Sequence, residues 1–151
     1  MVELRAITKD NLEDVIRLNV AEHQKTFVSS TAHSLAQAYV YRDTAFPFAI
    51  YTDETLVGFI MLGFYEKKQQ YTLWKLLIDE KYQNQGYGKG AVQKGITYLI
   101  DTFGAKEIYV GVSLGNDIAK QLYSSVGFKA TGFVENDIEE MRYIADLRGD
   151  I

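Results

Sequence analysis

Apolar and polar residues alternate from Val2 to Ile7, the two-residue period of a strand with one buried face. Thr8 or Asp10 can cap a helix running to about Asn19, whose apolar side is Val15, Ile16, Leu18 and Val20. From Ala21 to Asp43 the pattern loosens, leaving a short helix over Ser34 to Tyr41. Pro47, the only proline, then leads into a strand at Phe48 to Tyr51. Asp53 and Glu54 supply a turn before Leu56 to Tyr65, and a polar tip at Glu66 to Gln70 precedes Tyr71 to Ile78. These three runs predict an antiparallel meander.

The period then changes. Gly88 to Phe103 carries Ala91, Val92, Ile96, Leu99, Ile100 and Phe103 at helical spacing, and Gly104 ends it as a left-handed cap would. Ile108 to Val112 is a strand. Asn116 to Val126 is a helix with Ile118, Ala119, Leu122 and Val126 along one side, closed by Gly127. Lys129 to Val134 and Glu139 to Ile144 are two last strands around a turn at Asn136 and Asp137. The order β-α-α-β-β-β-α-β-α-β-β predicts an α/β (α+β) fold. Its mixed sheet is flanked by helices, mostly antiparallel before the central helix and joined to a parallel crossover after it. With 151 residues and no repeat, linker or low-complexity tract, one domain over 1–151 is expected.

Composition narrows the class without naming a chemistry. The absence of cysteine excludes disulfides and thiolate nucleophiles, and His23 and His33 stand ten positions apart, so no metal site is expected. No apolar run approaches the length of a membrane span and no basic flank precedes an apolar core at the N-terminus. The reading is a soluble, unexported, cytoplasmic protein. A net charge of -4 argues against nucleic acid as a partner and tolerates a cationic small molecule.

The chemistry concentrates between Leu76 and Gly90, where a buried strand, a polar turn and a glycine-rich helix start follow one another. The first amides of a helix lack intrahelical acceptors and sit at the positive end of its dipole, so a diphosphate can take up several at once. Gly86 and Gly88 let phosphate oxygens approach the main chain, and Lys89 adds a cation. Gly90 follows Lys89 where a P-loop needs Ser or Thr. Five residues, Asp79 to Gln83, separate the strand from the turn where a dinucleotide loop needs glycine at once. Two glycines at a helix start can also serve only tight packing.

Gln83-Asn84-Gln85-Gly86-Tyr87-Gly88 matches the Q/R-x-x-G-x-G/A signature of the GNAT superfamily of N-acetyltransferases, and Asn116-x-x-Ala119-x-x-Leu122-Tyr123-x-x-x-Gly127-Phe128 resembles that family's later helix. The resemblance implies a sheet whose two central strands splay apart, and acetyl-CoA as cofactor. It assigns the cofactor to Leu77, Ile78, Gln83, Asn84, Gln85, Gly86, Tyr87, Gly88, Lys89, Asn116 and Tyr123. It further implies direct attack by an amine in a ternary complex. The amide of Leu77 or a neighbour holds the thioester carbonyl, and Tyr123 protonates or hydrogen-bonds the departing thiolate; a rim aromatic with its hydroxyl in water is the other reading of Tyr123. Seven residues separate Asn116 from Tyr123, which puts both on one side of the helix with Ile118 and Leu122 on the other, in the core.

Further likeness points to bacterial spermine/spermidine acetyltransferases. It is carried by Val20-Ala21-Glu22-His23-Gln24-Lys25-Thr26-Phe27-Val28, by Leu56-Val57-Gly58-Phe59 and by Ile78-Asp79-Glu80-Lys81-Tyr82-Gln83. It implies a groove for a small-molecule amine with Glu22, His23, Phe27, Tyr41 and Trp74 along it, joined by Tyr39, while the resemblance to GNAT relatives at large implies a homodimer through terminal strands. Such relatives often carry an acid on the strand before the cradle, where Trp74 and Lys75 stand here. The base is therefore open among water, Glu22 and Asp43, with Asp79 and Glu80 read as solvated. Protein N-terminal, lysine or aminoglycoside acetylation, and a non-catalytic CoA sensor, are the competing functions.

Overall fold

The computed structural model describes residues 1–25 and 29–145, the His23 side chain excepted. Its elements follow the expected order: β1 (Val2–Arg5), α1 (Leu12–Ile16), α2 (Thr31–Val40), β2 (Ala45–Thr52), β3 (Thr55–Tyr65) and β4 (Gln70–Ile78) come first. After them come α3 (Tyr87–Phe103), β5 (Glu107–Ser113), α4 (Asp117–Val126), β6 (Lys129–Glu135) and β7 (Ile138–Ile144). Among the described residues, seven strands form one sheet in the order β1-β2-β3-β4-β5-β7-β6, and only β4 and β5 run parallel. None of these helices is long and apolar enough to cross a membrane.

Burial explains the order. Residues 57–63 of β3 are all buried, because both faces of this central strand are covered. Its pleat sends Phe59 and Met61 to the cluster under α1 and α2, and Ile60 and Leu62 to the cluster under α3 and α4. On the second face α3 lays down Val92, Ile96 and Leu99, and Phe128 and Met141 close the core. Asn136 and Asp137 both adopt positive φ, at 53° and 62°, as a tight hairpin turn requires.

Helix α1 stops at Ile16, short of the expected Asn19, and Ile16 is 38% exposed rather than part of an apolar side. The chain leaves the helix to bond the end of β4: Asn19 N–H donates to Asp79 Oδ2 at 3.1 Å, and Glu80 N–H donates to the Asn19 carbonyl at 2.7 Å. Asp79, expected in solvent, is therefore buried; its other oxygen accepts from Lys81 N–H at 3.0 Å. Asp79→Ala strands these amides and is expected to cost about 1–3 kcal/mol in urea unfolding. Helix α2 begins earlier than read, because the Ser30 hydroxyl accepts from His33 N–H at 3.1 Å.

Two irregularities shape the centre. Met61 pairs with Lys75 and Leu62 with Leu73, so Trp74 is an extra residue in β4. Such a bulge brings neighbouring side chains to one face, here Trp74 and Lys75 on the side of α2. Second, β4 and β5 pair only at Tyr71–Ile108 and Thr72–Tyr109, with the Thr72 hydroxyl donating to the Tyr109 carbonyl at 3.1 Å. Beyond that point Leu73–Ile78 and Val110–Ser113 diverge.

Candidate active site

The divergence opens a groove of about 550 Å³ between the two strands, floored by their backbones. Backbone direction decides which groups face it. Asp79 N–H donates to the Val57 carbonyl, so alternation along the antiparallel pair turns the main-chain groups of Asp79 and Leu77 toward β3. Those of Leu76 and Ile78 turn toward the gap. Leu77 or a neighbour is the amide donor named from sequence; all three residues line the groove, and by this alternation the N–H groups turned toward the gap are those of Leu76 and Ile78.

One end of the groove meets α3. Gly86 caps that helix in the left-handed region, φ 84°, with no side-chain cap, and Asn84 before it is also left-handed at 64°. The first helical bond runs from Gly90 N–H to the Gly86 carbonyl, so the amides of Tyr87, Gly88 and Lys89 have no intrahelical acceptor. A Cβ at Gly86 would meet nothing within 4 Å, and one at Gly88 would sit 3.5 Å from Leu122 Cδ2. Open space in front of three free donors, with the exposed Lys89 beside them, fits a diphosphate. Gln85 is exposed and stands outside the groove lining. Gln83 lies at the groove, but its amide is spent within the protein, donating to the Ile78 carbonyl at 2.9 Å and to Gln24 Oε1 at 2.7 Å.

Helix α4 forms the opposite wall. Asn116 is its N-cap, accepting from Ala119 N–H through Oδ1 at 3.3 Å, which leaves Nδ2 for the groove. Ile118 is 64% exposed and lines the groove instead of entering the core, because residues this close to the cap project along the gap. Tyr123 is buried beneath them, packed edge-on to Phe128 at 5.6 Å, and among the described residues its hydroxyl has no hydrogen-bond partner. Burial pushes that hydroxyl's pKa well above the usual tyrosine value, so it carries its proton throughout the physiological range.

The expected acceptor residues are only partly brought together. Trp74 lines the groove and Tyr41 packs edge-on against it at 5.8 Å from a half-exposed position. Glu22 lies on the surface, 89% exposed and paired with Lys25 at 2.9 Å. Phe27 and the His23 side chain lie outside the described residues. Lys75, Ser29, Ser34 and Gln24 also line the groove, none of them having been assigned to it from sequence. The bulge that swings Lys75 to this face leaves no mark in the alternation of β4. Among the described residues no carboxylate lines the groove.

Helix amides facing a parallel splay, with a protonated phenol at the far side, are chemically suited to a thioester whose carrier bears a diphosphate. Residues 12–128 match the sequence model of the acetyltransferase (GNAT) family, and the chain belongs to that family. It is an acetyl-CoA-dependent acetyltransferase. It is 29% identical to a spermine/spermidine N(1)-acetyltransferase of Bacillus subtilis strain 168 over 149 residues, 93% of this chain and 95% of the relative. It also resembles, at 32% identity over 54% of its length, an N-alpha-acetyltransferase of Sulfurisphaera tokodaii. In structure it is similar to the spermidine N-acetyltransferase of Vibrio cholerae, solved with CoA and spermine. The TM-score is 0.75, the identity 18%, and the coverage 95% of both chains.

Proposed function

We propose that this enzyme acetylates a terminal primary amine of a polyamine such as spermidine or spermine, by direct attack with both substrates bound. The reading of the acceptor rests on the two Bacillus subtilis polyamine acetyltransferases that align with the chain over 93% of its length. Bound acetyl-CoA supplies an acyl group already activated as a thioester. Tyr87, Gly88 and Lys89 hold the diphosphate through their amides, with the Lys89 ammonium alongside. The Leu76 or Ile78 N–H, turned into the gap, holds the acyl oxygen as it gains charge, and a fixed donor there lowers the barrier. The Tyr123 hydroxyl gives its proton to the sulfur as the bond to carbon breaks, and is reprotonated through water as the acylated nitrogen sheds its extra proton. No residue of the protein needs to carry the acetyl group.

Radiolabelled transfer from acetyl-CoA to spermidine, spermine, an aminoglycoside and a peptide N-terminus tests the acceptor. Labelled polyamine is the expected product, and label on the peptide or aminoglycoside alone would remove the polyamine reading. Because no carboxylate lines the groove among the described residues, one second reading is favoured, an amine with no other cation close by, such as a protein N-terminus.

A further inference from the structure

A primary amine reaches neutral water as an ammonium, and attack requires its free base. A carboxylate in the groove would normally take that proton, yet among the described residues none is there. What stands there is Lys75. The bulge puts it on the α2 face of β4 beside Trp74, and its Nζ donates to the Ser29 hydroxyl at 2.9 Å. Met61 pairs with it from β3, and Ser34 of α2 lines the same groove. Among the described residues, the other titratable groups lining the groove are three phenols, Tyr82, Tyr87 and Tyr123, and one more cation, Lys89. Among the described residues, both charged side chains that line the groove of this chain of net charge -4 are therefore cations.

We propose that Lys75 determines the form in which the acceptor enters: its ammonium opposes a second cation, so the amine binds as the free base and its proton passes to bulk water. Repulsion thereby does what proton abstraction does in a groove with an acid, and any further ammonium of the acceptor points toward the mouth. Burial draws Lys75's own pKa down from the ordinary lysine value. The proposal rests on the acceptor groove assigned above but not on which amine fills it.

Because the free-base fraction of an alkylamine with a pKa of about 10.4 rises about tenfold per pH unit, KM should fall about tenfold per unit between pH 7 and 9. Lys75→Arg keeps the charge and should keep that slope. Lys75→Glu should bind the ammonium itself, lowering KM at pH 7 about tenfold or more and flattening its pH dependence, while kcat acquires the slope. Calorimetry with butylamine and with spermidine on the CoA-bound protein reads the same contrast without turnover. The wild type should release about one proton per amine bound at pH 8, and the Glu variant clearly less. A flat wild-type KM, equal proton release in both proteins, no amine binding to either, or weaker binding by Lys75→Glu overturns the proposal. Failure to acetylate any polyamine, with the proton release intact, overturns only the acceptor named above.

Discussion

Replacing Tyr123 with Phe is expected to lower kcat about a hundredfold or more while leaving the Kd for CoA within about twofold, since a positioned proton donor contributes about 10²–10⁴. The substitution removes one oxygen and retains the ring that packs on Phe128, so the fold should survive. Stopped-turnover assays with isothermal titration separate the two quantities. The loss should also depend on the leaving group: a thioester of a more acidic thiol needs less help, and the variant should recover part of its rate with one. A protein that only senses CoA would register no change in any of these. Unchanged turnover would show that the sulfur takes its proton from elsewhere and would return Tyr123 to a packing role.

Gly58→Ala is expected to cost about 2–3 kcal/mol in unfolding free energy and to depress activity further than that loss explains, since overpacking a tight site costs about 1–3 kcal/mol. A Cβ at residue 58 would collide with the Leu77 carbonyl oxygen and sit 2.9 Å from Ile78 Cδ1. Backbone cannot retreat as a side-chain tip does, so β4 must shift away from β3. That displacement moves the Leu76 and Ile78 amides within the gap. Urea unfolding gives the first number, and kcat/KM measured well below the transition gives the second. Normal kcat/KM in a destabilised variant would show that amide placement in β4 is not demanding.

The sequence was most readable where one residue type admits one local conformation. Gly104 ends α3 at φ 68°, and Asn136 with Asp137 turns the last hairpin, as their types imply. The start of α3 was readable for the same reason, since Gly86 sits at φ 84° where a β-carbon is strained. Apolar side chains were less faithful guides. Leu18 and Val20 extend the periodicity of α1 but pack from a segment tied to β4 through Asn19 and Asp79, a tertiary bond that no local pattern encodes. Ile118 has the spacing of a core residue because a groove wall and a core wall are equally apolar. The acceptor wall was hardest to read. A bulge inserts Trp74 into β4 and thereby decides where Lys75 points, and register belongs to the pair of strands rather than to either one.

The short seam between Tyr71–Thr72 and Ile108–Tyr109 carries a lesson for anyone wishing to toughen this enzyme. Zipping the two strands shut would add ladder bonds and raise the melting temperature, yet it would consume the very donors that face a visiting molecule. Thermal hardiness gained at that hinge would come as lost turnover, so stabilising changes belong at the flanking helices and the outer hairpin.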